Sequence, residues 1–421
     1  MTLPSMRTAR WTAASVPAAF LLANALSYAL LLVAAHRISA AAYGELSSLL
    51  GLLLVATIPA LALQTVAARR VAVHGTDEGV RAGTVRFGLG ATVVLALVSP
   101  ALAAFLHLHG VLGVLLVAAT VPPLALIGAA SGVAQGRREF RRLGLLILGG
   151  TGGRALGGLV AIVAFGTPDA ALAGILVGAI AAATCTALDV ARHSAPQASG
   201  TGAPGLVLEA AHATHAHGLF LLLTSLDVLL ARHVLTSSQA GVYAVGAVLT
   251  RAALWLPQSL VLLLFASLAQ QASRRAAGQR AALITTALGA VAVAGTALLG
   301  PLVVSAVGGS RYHRLDSVVW LWALLGALLA VVQLAVLAGL ARRSRRRAVL
   351  LWAMLVADVA VVLGIGAVNT PQRLVVGLIC VAAVGAGVSL WLVLREPHAM
   401  FAPDAPGHAG GPADRTALES R

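Results

Sequence analysis

Apolar stretches of about 20 residues recur from one end of this 421-residue chain to the other, with short arginine clusters between them. Twenty residues of helix rise about 30 Å, the thickness of the hydrocarbon core of a bilayer. Inside such a layer each backbone N–H and C=O must find its partner within the segment that carries it, so runs of this length fold as helices. Twelve are counted, near 15–36, 45–67, 84–106, 111–134, 143–165, 170–190, 207–232, 241–268, 281–307, 317–340, 348–367 and 373–394. The expected fold class is an all-α polytopic membrane protein with about twelve transmembrane helices. Composition agrees, because only 10% of residues are charged, against about 25% in soluble domains. The basic N-terminal stretch Met1 to Trp11 is expected to lead into the first spanning helix, since the apolar run after it is too long for a cleavable signal.

The arginines set the orientation. Arg7, Arg10, Arg69, Arg70, Arg81, Arg86, Arg137, Arg138, Arg141, Arg142, Arg192, Arg274, Arg275, Arg280, the run Arg342 to Arg347 and Arg395 all fall on one side of a twelve-helix layout. The other side holds only Arg37, Arg232, Arg311, Arg314 and Arg373. Positive charge collects on the cytoplasmic side, so we expect a multi-pass protein of the cytoplasmic membrane with both termini in the cytoplasm. Membrane lipids are its surroundings. The formal charge of +15 is thus topological, and nucleic acid is not an expected partner. All 29 basic residues are arginine. Without lysine there is no phosphate-cradling Gly-Lys-Ser/Thr loop and no Schiff base. The chain is not expected to be an enzyme or to carry a cofactor. Cys185 and Cys380 lie in apolar runs and are expected as small core residues, not as a disulfide.

Two halves are expected: an N-terminal six-helix bundle over 1–195 and a C-terminal one over 196–396, followed by a disordered cytoplasmic tail over 397–421 that is rich in Pro, Gly and Ala. A weak repeat supports this. Gly44 and Pro59 in the second run match Gly241 and Pro257 in the eighth, and Ser99-Pro100 matches Gly300-Pro301, each about 200 residues apart. Six helices return the chain to the same side, so the repeat is parallel, as in several transporters.

Charged residues inside spans are costly and usually face the bundle interior or a wet cavity. Arg154 lies mid-way along the fifth run, turned about 100° from the small-residue face of Gly149, Gly153 and Gly157. It either faces a cavity or pairs with another helix. Asp227 in the seventh run and Arg251 in the eighth lie at depths an arginine side chain can bridge, as a structural or a functional pair. Glu209, His212, His215 and His217 share one half of the seventh run. Metal binding, proton coupling and a wet cavity wall are the readings open to them, and no second ligand cluster supports metal. Asp358, Asn24, Ser27, Gln64 and Gln333 are further polar positions. Pro59, Pro122, Pro123 and Pro257 are expected to kink their helices.

Two stretches then carry a resemblance: LANALSYALLLVAAHRISAAAYGELSSLLGLLLVATIPALALQTVAARR at 22–70 and LLLTSLDVLLARHVLTSSQAGVYAVGAVLTRAALWLPQSL at 221–260. The Tyr-Gly after the first run, Leu-Asp-Val in the seventh, and Ala-Gly-Val-Tyr followed by Arg in the eighth are similar to polysaccharide flippases. These belong to the multidrug/oligosaccharidyl-lipid/polysaccharide exporter superfamily, and the likeness is to those that export O-antigen and teichoic acid. It implies two six-helix bundles forming a V around a central cavity and working by alternating access. The implied cargo is a lipid-linked saccharide with a phosphate head, bound by Arg154 and Arg251. Coupling to H⁺ or Na⁺ and association with glycosyltransferases are implied partners. The first run lacks an embedded arginine, which argues against a lipid II flippase. A cation-coupled multidrug exporter of the same superfamily is the alternative, kept open by Asp227 and Asp358. A membrane-embedded polymerase would need a sizeable outer loop, and none here exceeds about ten residues. A non-transporting scaffold would not need charges at mid-membrane depth.

Overall fold

The computed structural model describes residues 6–75, 80–193, 206–268, 274–340, 345–365 and 370–395. The side chains of 6–15, 192–217, 256–278, 337–347, 365–369 and 393–395 lie outside the description, as do those of 74, 76–79, 81 and 82. So do the predicted tail and the cluster of Glu209, His212, His215 and His217, whose helix is placed but whose side chains are not.

Twelve rods occupy the twelve predicted runs. They are α1 (Met6–Arg37), α2a (Ala40–Ala56) with α2b (Ile58–His74), α3a (Val80–Leu97) with α3b (Ser99–Phe105), and α4 (Leu112–Gly136). Next come α5a (Phe140–Ile147), a π turn (Leu148–Gly152) and α5b (Gly153–Phe165), α6 (Pro168–His193), α7 (Leu206–Val234) and α8 (Ser237–Leu268). The last are α9a (Arg274–Leu298) with α9b (Gly300–Gly308), α10 (Trp320–Leu340), α11 (Arg345–Ile365) and α12 (Pro371–Arg395). Seven of the described spans are long and apolar enough to cross a membrane outright, or eight with the bent pair α3a and α3b. The apolar stretches of α10 and α11 are shorter, while α7 and α8 reach 29 and 32 residues.

Local chemistry sets the breaks. Ser39 caps α2a by accepting a hydrogen bond from the Ala42 N–H at 3.2 Å. Pro59 then restarts the rod as α2b after Thr57, whose hydroxyl donates to the Leu54 carbonyl. Pro100 does the same in α3, which bends by 53° between α3a and α3b. Pro301 restarts α9 at the matching place. The expected kinks at Pro122 and Pro123 do not interrupt α4. Pro257 lies beyond the described side chains, within an unbroken α8.

The first six rods pack on one another, with α5 on α6, α2b and α3a on α4, α4 on α6, and α1 on α5. The last six do likewise, through α10 on α12, α9 and α8 on α10, and α11 on α7 and α12. The two bundles meet as a V along α2, which lies against α7 and α8. One large apolar core runs through both, with Tyr43, Tyr243, Tyr312 and Trp322 fully buried in it. The glycine face of α4 lets α2b approach: a Cβ on Gly128 or Gly132 would fall on the carbonyl oxygen of Ala60 or Gln64. Gly132→Leu is therefore expected to cost about 1–3 kcal/mol by overpacking and to lower the thermal midpoint of the purified protein. Gly90→Leu in the same bundle, where nothing lies within 4 Å, should leave the midpoint unchanged.

The repeat has a physical meaning. Gly44 and Gly241 touch across the bundle interface, so that a Cβ on Gly44 would lie 2.8 Å from the Gly241 nitrogen. Equivalent positions of the two halves thus take part in a close backbone contact between α2 and α8, where a Cβ on Gly241 would in turn fall on the Ala40 carbonyl oxygen. This contact lies at the arginine-poor end of the rods.

Both cysteines differ from expectation. Cys185 and Cys380 are exposed. A small sulfur side chain suits an apolar lipid-facing surface as well as a core, so burial does not follow from apolarity here.

Candidate functional site

The two mid-span arginines come from different bundles and face one cavity. It has a volume of about 180 Å³ and lies between α1, α2a, α5, α6 and α8. Its polar lining is Ser27, Thr57, Thr151, Arg154 and Arg251, and the remainder is leucine, alanine and isoleucine. Among the described residues no carboxylate lines it.

The π turn Leu148–Gly152 leads directly into Arg154. Such turns widen a helix by one residue and recur at functional sites. Here the Arg154 Nε donates to the Gly150 carbonyl inside that turn, at 3.1 Å. The guanidinium is thereby held against its own helix, and no ion pair forms to it among the described residues. On α8, one Nη of Arg251 is buried without a hydrogen-bond partner. Two guanidinium groups without carboxylates in an apolar wall leave the cavity strongly positive. What this arrangement can do chemically is hold an anion, through charge-assisted and bidentate bonds.

The predicted Asp227 to Arg251 pair is not a direct contact. Among the described residues no ion pair forms between them. The Tyr243 hydroxyl donates to Asp227 Oδ2 at 3.3 Å instead. Depth along neighbouring helices predicted the pairing, but the azimuth of each side chain decides it. The other carboxylate oxygen of Asp227 is buried and has no partner. Asp358 on α11 is also buried and feels the Asp227 charge. These two acids and Tyr243 form a separate polar cluster within the second bundle.

Of the other candidates, the Asn24 amide donates to its own helix at the Phe20 carbonyl, 2.8 Å away. Gln64 bonds Gln135 at 3.3 Å, tying α2b to α4. Neither lines the cavity. No group of three or more metal-ligating side chains occurs among the described residues.

A second feature was not anticipated. At the arginine-poor end, basic side chains of the second bundle bind carbonyls at helix ends of the first. Arg232 is buried, and its Nε and Nη2 donate to the Leu106 and His107 carbonyls at 3.0 and 3.1 Å. His233 Nδ1 bonds the Phe105 carbonyl at 2.8 Å while its ring stacks on Phe105, centroids 4.2 Å apart. Arg311 donates to the Ile38 carbonyl at 2.8 Å, just beyond the end of α1. The last carbonyls of a helix lack intrahelical partners and carry its negative dipole end, so cations suit them. The available signal was that Arg232 and Arg311 are exceptions to the one-sided arginine distribution.

No protein-family model and no curated protein matches the chain. Solved structures do. The inward-facing conformation of a multidrug resistance MATE family transporter of the MOP superfamily superposes with a TM-score of 0.69 at 13% identity, over 91% of this chain and 96% of that one. The outward-facing conformation of such a transporter gives 0.61 at 15% identity, over 91% and 94%. A MOP superfamily transporter from Pyrococcus furiosus, in which reverse polarity of the binding pocket suggests a different function, gives 0.52 at 13%, over 91% and 94%. Coverage is nearly complete on both sides, and this chain has the two-bundle fold of these membrane transporters.

Proposed function

We propose that the protein is an alternating-access exporter of an anionic amphiphile, a lipid-linked oligosaccharide or polysaccharide precursor with a phosphate or diphosphate head. The observation that carries this reading is the convergence of Arg154 and Arg251, from opposite bundles, on one cavity with no carboxylate among its described lining residues. An anion bridging them would be held by both bundles at once, so its arrival and departure would bias how the bundles sit together. At about 180 Å³ the cavity suits a phosphate-sized head, with the saccharide extending toward the arginine-rich end. That end is cytoplasmic in this reading. The carbonyl contacts of Arg232, His233 and Arg311 then close the outer side, which gives an inward-facing form. Asp227, Tyr243 and Asp358 are the candidates for H⁺ or Na⁺ coupling, and glycosyltransferases would supply the cargo. Asp227→Asn should therefore slow export about tenfold or more, within the range of typical coupling energies, when surface polymer is assayed across a pH series.

A second reading is a cation-coupled multidrug exporter, favoured by what the superposing transporters are and by the buried Asp227 and Asp358. Cationic drugs would have to enter a cavity faced by two arginines, which weighs against it. Depletion with lipid extraction separates the two. Polyprenyl-linked saccharide accumulating on the cytoplasmic side, with loss of surface polymer, supports the flippase. Flat lipid-linked sugars with rising sensitivity to cationic drugs would replace it by the exporter.

A further inference from the structure

The outer face of the first bundle carries a second cavity, lined by different residues of α5 and α6 from those that line the interbundle cavity. Where α5 and α6 cross, Gly157 meets the Gly174 carbonyl and Gly178 meets the Gly153 carbonyl too closely for any side chain. The missing side chains leave a groove of about 1080 Å³ along the crossing. Its rim is apolar and outward: Leu145, Val160, Phe165 and Val177 are 64, 60, 74 and 65% exposed.

At the arginine-rich end the groove runs into a second pocket of about 560 Å³, the two sharing Arg142, Leu145 and Asp189. That pocket adds Arg137, Arg138, Glu139 and Arg141. Arg142 uses its own charge on Glu139 and Asp189, at 2.9 and 2.7 Å. Four arginines against two carboxylates leave the mouth with a net charge of +2. At its other end the groove reaches Phe165 and Ala170 and has no cation in its lining.

Length and one-sided charge narrow the occupant. From Leu145 to Phe165 a helix rises about 30 Å, the full hydrocarbon thickness of a bilayer. A phospholipid chain belongs to one leaflet and covers about half of that depth. We infer that this groove binds a single-headed anionic lipid with a chain long enough to follow it through the membrane, namely a polyprenyl phosphate. The phosphate sits among Arg138, Arg141 and their neighbours, and the isoprenoid chain lies between α5 and α6. Juxtamembrane arginines attract anionic lipid heads in this manner. The inference rests on the flippase reading for its biological use: it is a holding place for the lipid carrier outside the cavity that takes the head.

The test uses the purified full-length protein and native mass spectrometry with undecaprenyl phosphate, neutral undecaprenol and phosphatidylglycerol. Undecaprenyl phosphate should bind in preference to the other two. Arg138→Gln with Arg141→Gln should weaken it about thirtyfold, at the usual worth of two surface arginines toward an anionic head. Val177→Trp, which adds bulk at a position 65% exposed, should weaken it without lowering the thermal midpoint. Arg154→Ala with Arg251→Ala should leave this binding intact. Equal binding of phosphatidylglycerol, or indifference to both sets of groove variants, overturns the inference. Surface polymer that does not depend on the protein, with undecaprenyl phosphate still bound at the groove, would sink the flippase reading alone.

Discussion

Arg251→Ala should abolish export while leaving the protein at least as stable as before. Arg251 is a half-buried cation, one of whose Nη atoms is buried without a partner, facing a cavity that also holds Arg154. If its role is to bind the phosphate of a cargo, each lost charge-assisted bond is worth about 1.5–3 kcal/mol, and a bidentate pair lost whole corresponds to about a 100-fold drop in transport efficiency or more. Removing half of a buried structural ion pair, in contrast, costs about 3–5 kcal/mol of stability. Stability and activity thus move in different directions under the two readings. The measurement is surface polymer and accumulated lipid-linked saccharide in cells, together with the thermal midpoint of the purified variant. Arg251→Lys should recover part of the activity, since a lysine restores the charge without the planar fork. A fall of ten degrees or more in the midpoint, with export unaffected, would make Arg251 a structural residue.

The second large effect is expected at the opposite end of the cavity. Arg232→Ala with Arg311→Ala removes three of the bonds by which the second bundle holds carbonyls of the first, those to Leu106, His107 and Ile38. The Leu106 bond is buried and the other two are part-buried, so each is worth about 1 kcal/mol. Only the closed form suffers this loss, so about 3 kcal/mol is transferred into the equilibrium between bundle positions, or about 100-fold. Ser47→Cys provides a reporter, because Ser47 is buried on α2a, one turn from the Gly44 contact with α8. The exposed Cys185 and Cys380 are first changed to serine. An impermeant thiol reagent applied to whole cells should then label position 47 about 100-fold faster in the double variant than in its parent. Unchanged labelling would mean that these bonds do not hold the bundles closed.

The rods were legible in the sequence because the bilayer allows only one length and one hydrogen-bonding solution for an apolar run. Arg154 and Arg251 were legible for the opposite reason: a charge at mid-span depth is too costly to be incidental. The contacts at the arginine-poor end were not, since Arg232 and Leu106 are 126 residues apart and no local pattern links them. The Asp227 partner was misread because spacing gives the height of a residue on its helix, while packing gives the direction. Tyr243, at the right azimuth, takes the carboxylate. Asn24 and Gln64 show the same limit, as polarity alone does not tell a cavity wall from a bond to the residue's own helix or a strut between helices. The exposed cysteines show another: preferences for the interior reflect water outside, and a membrane protein is surrounded by hydrocarbon.

The π turn before Arg154 has a consequence for how this chain can vary in length. Elsewhere in a packed rod, losing one residue rotates everything beyond it by about 100° and shifts it by about 1.5 Å. The groove face and the cavity face of α5 would then trade places with lipid. A π turn holds one residue more than the α-helix it interrupts. Within Leu148–Gly152 a single deletion can be absorbed by relaxing to an ordinary turn, with both faces of the rod still in register. Deletion scanning along α5 should thus find one tolerant window in an otherwise intolerant helix, five residues wide and ending two positions before the arginine that faces the cavity.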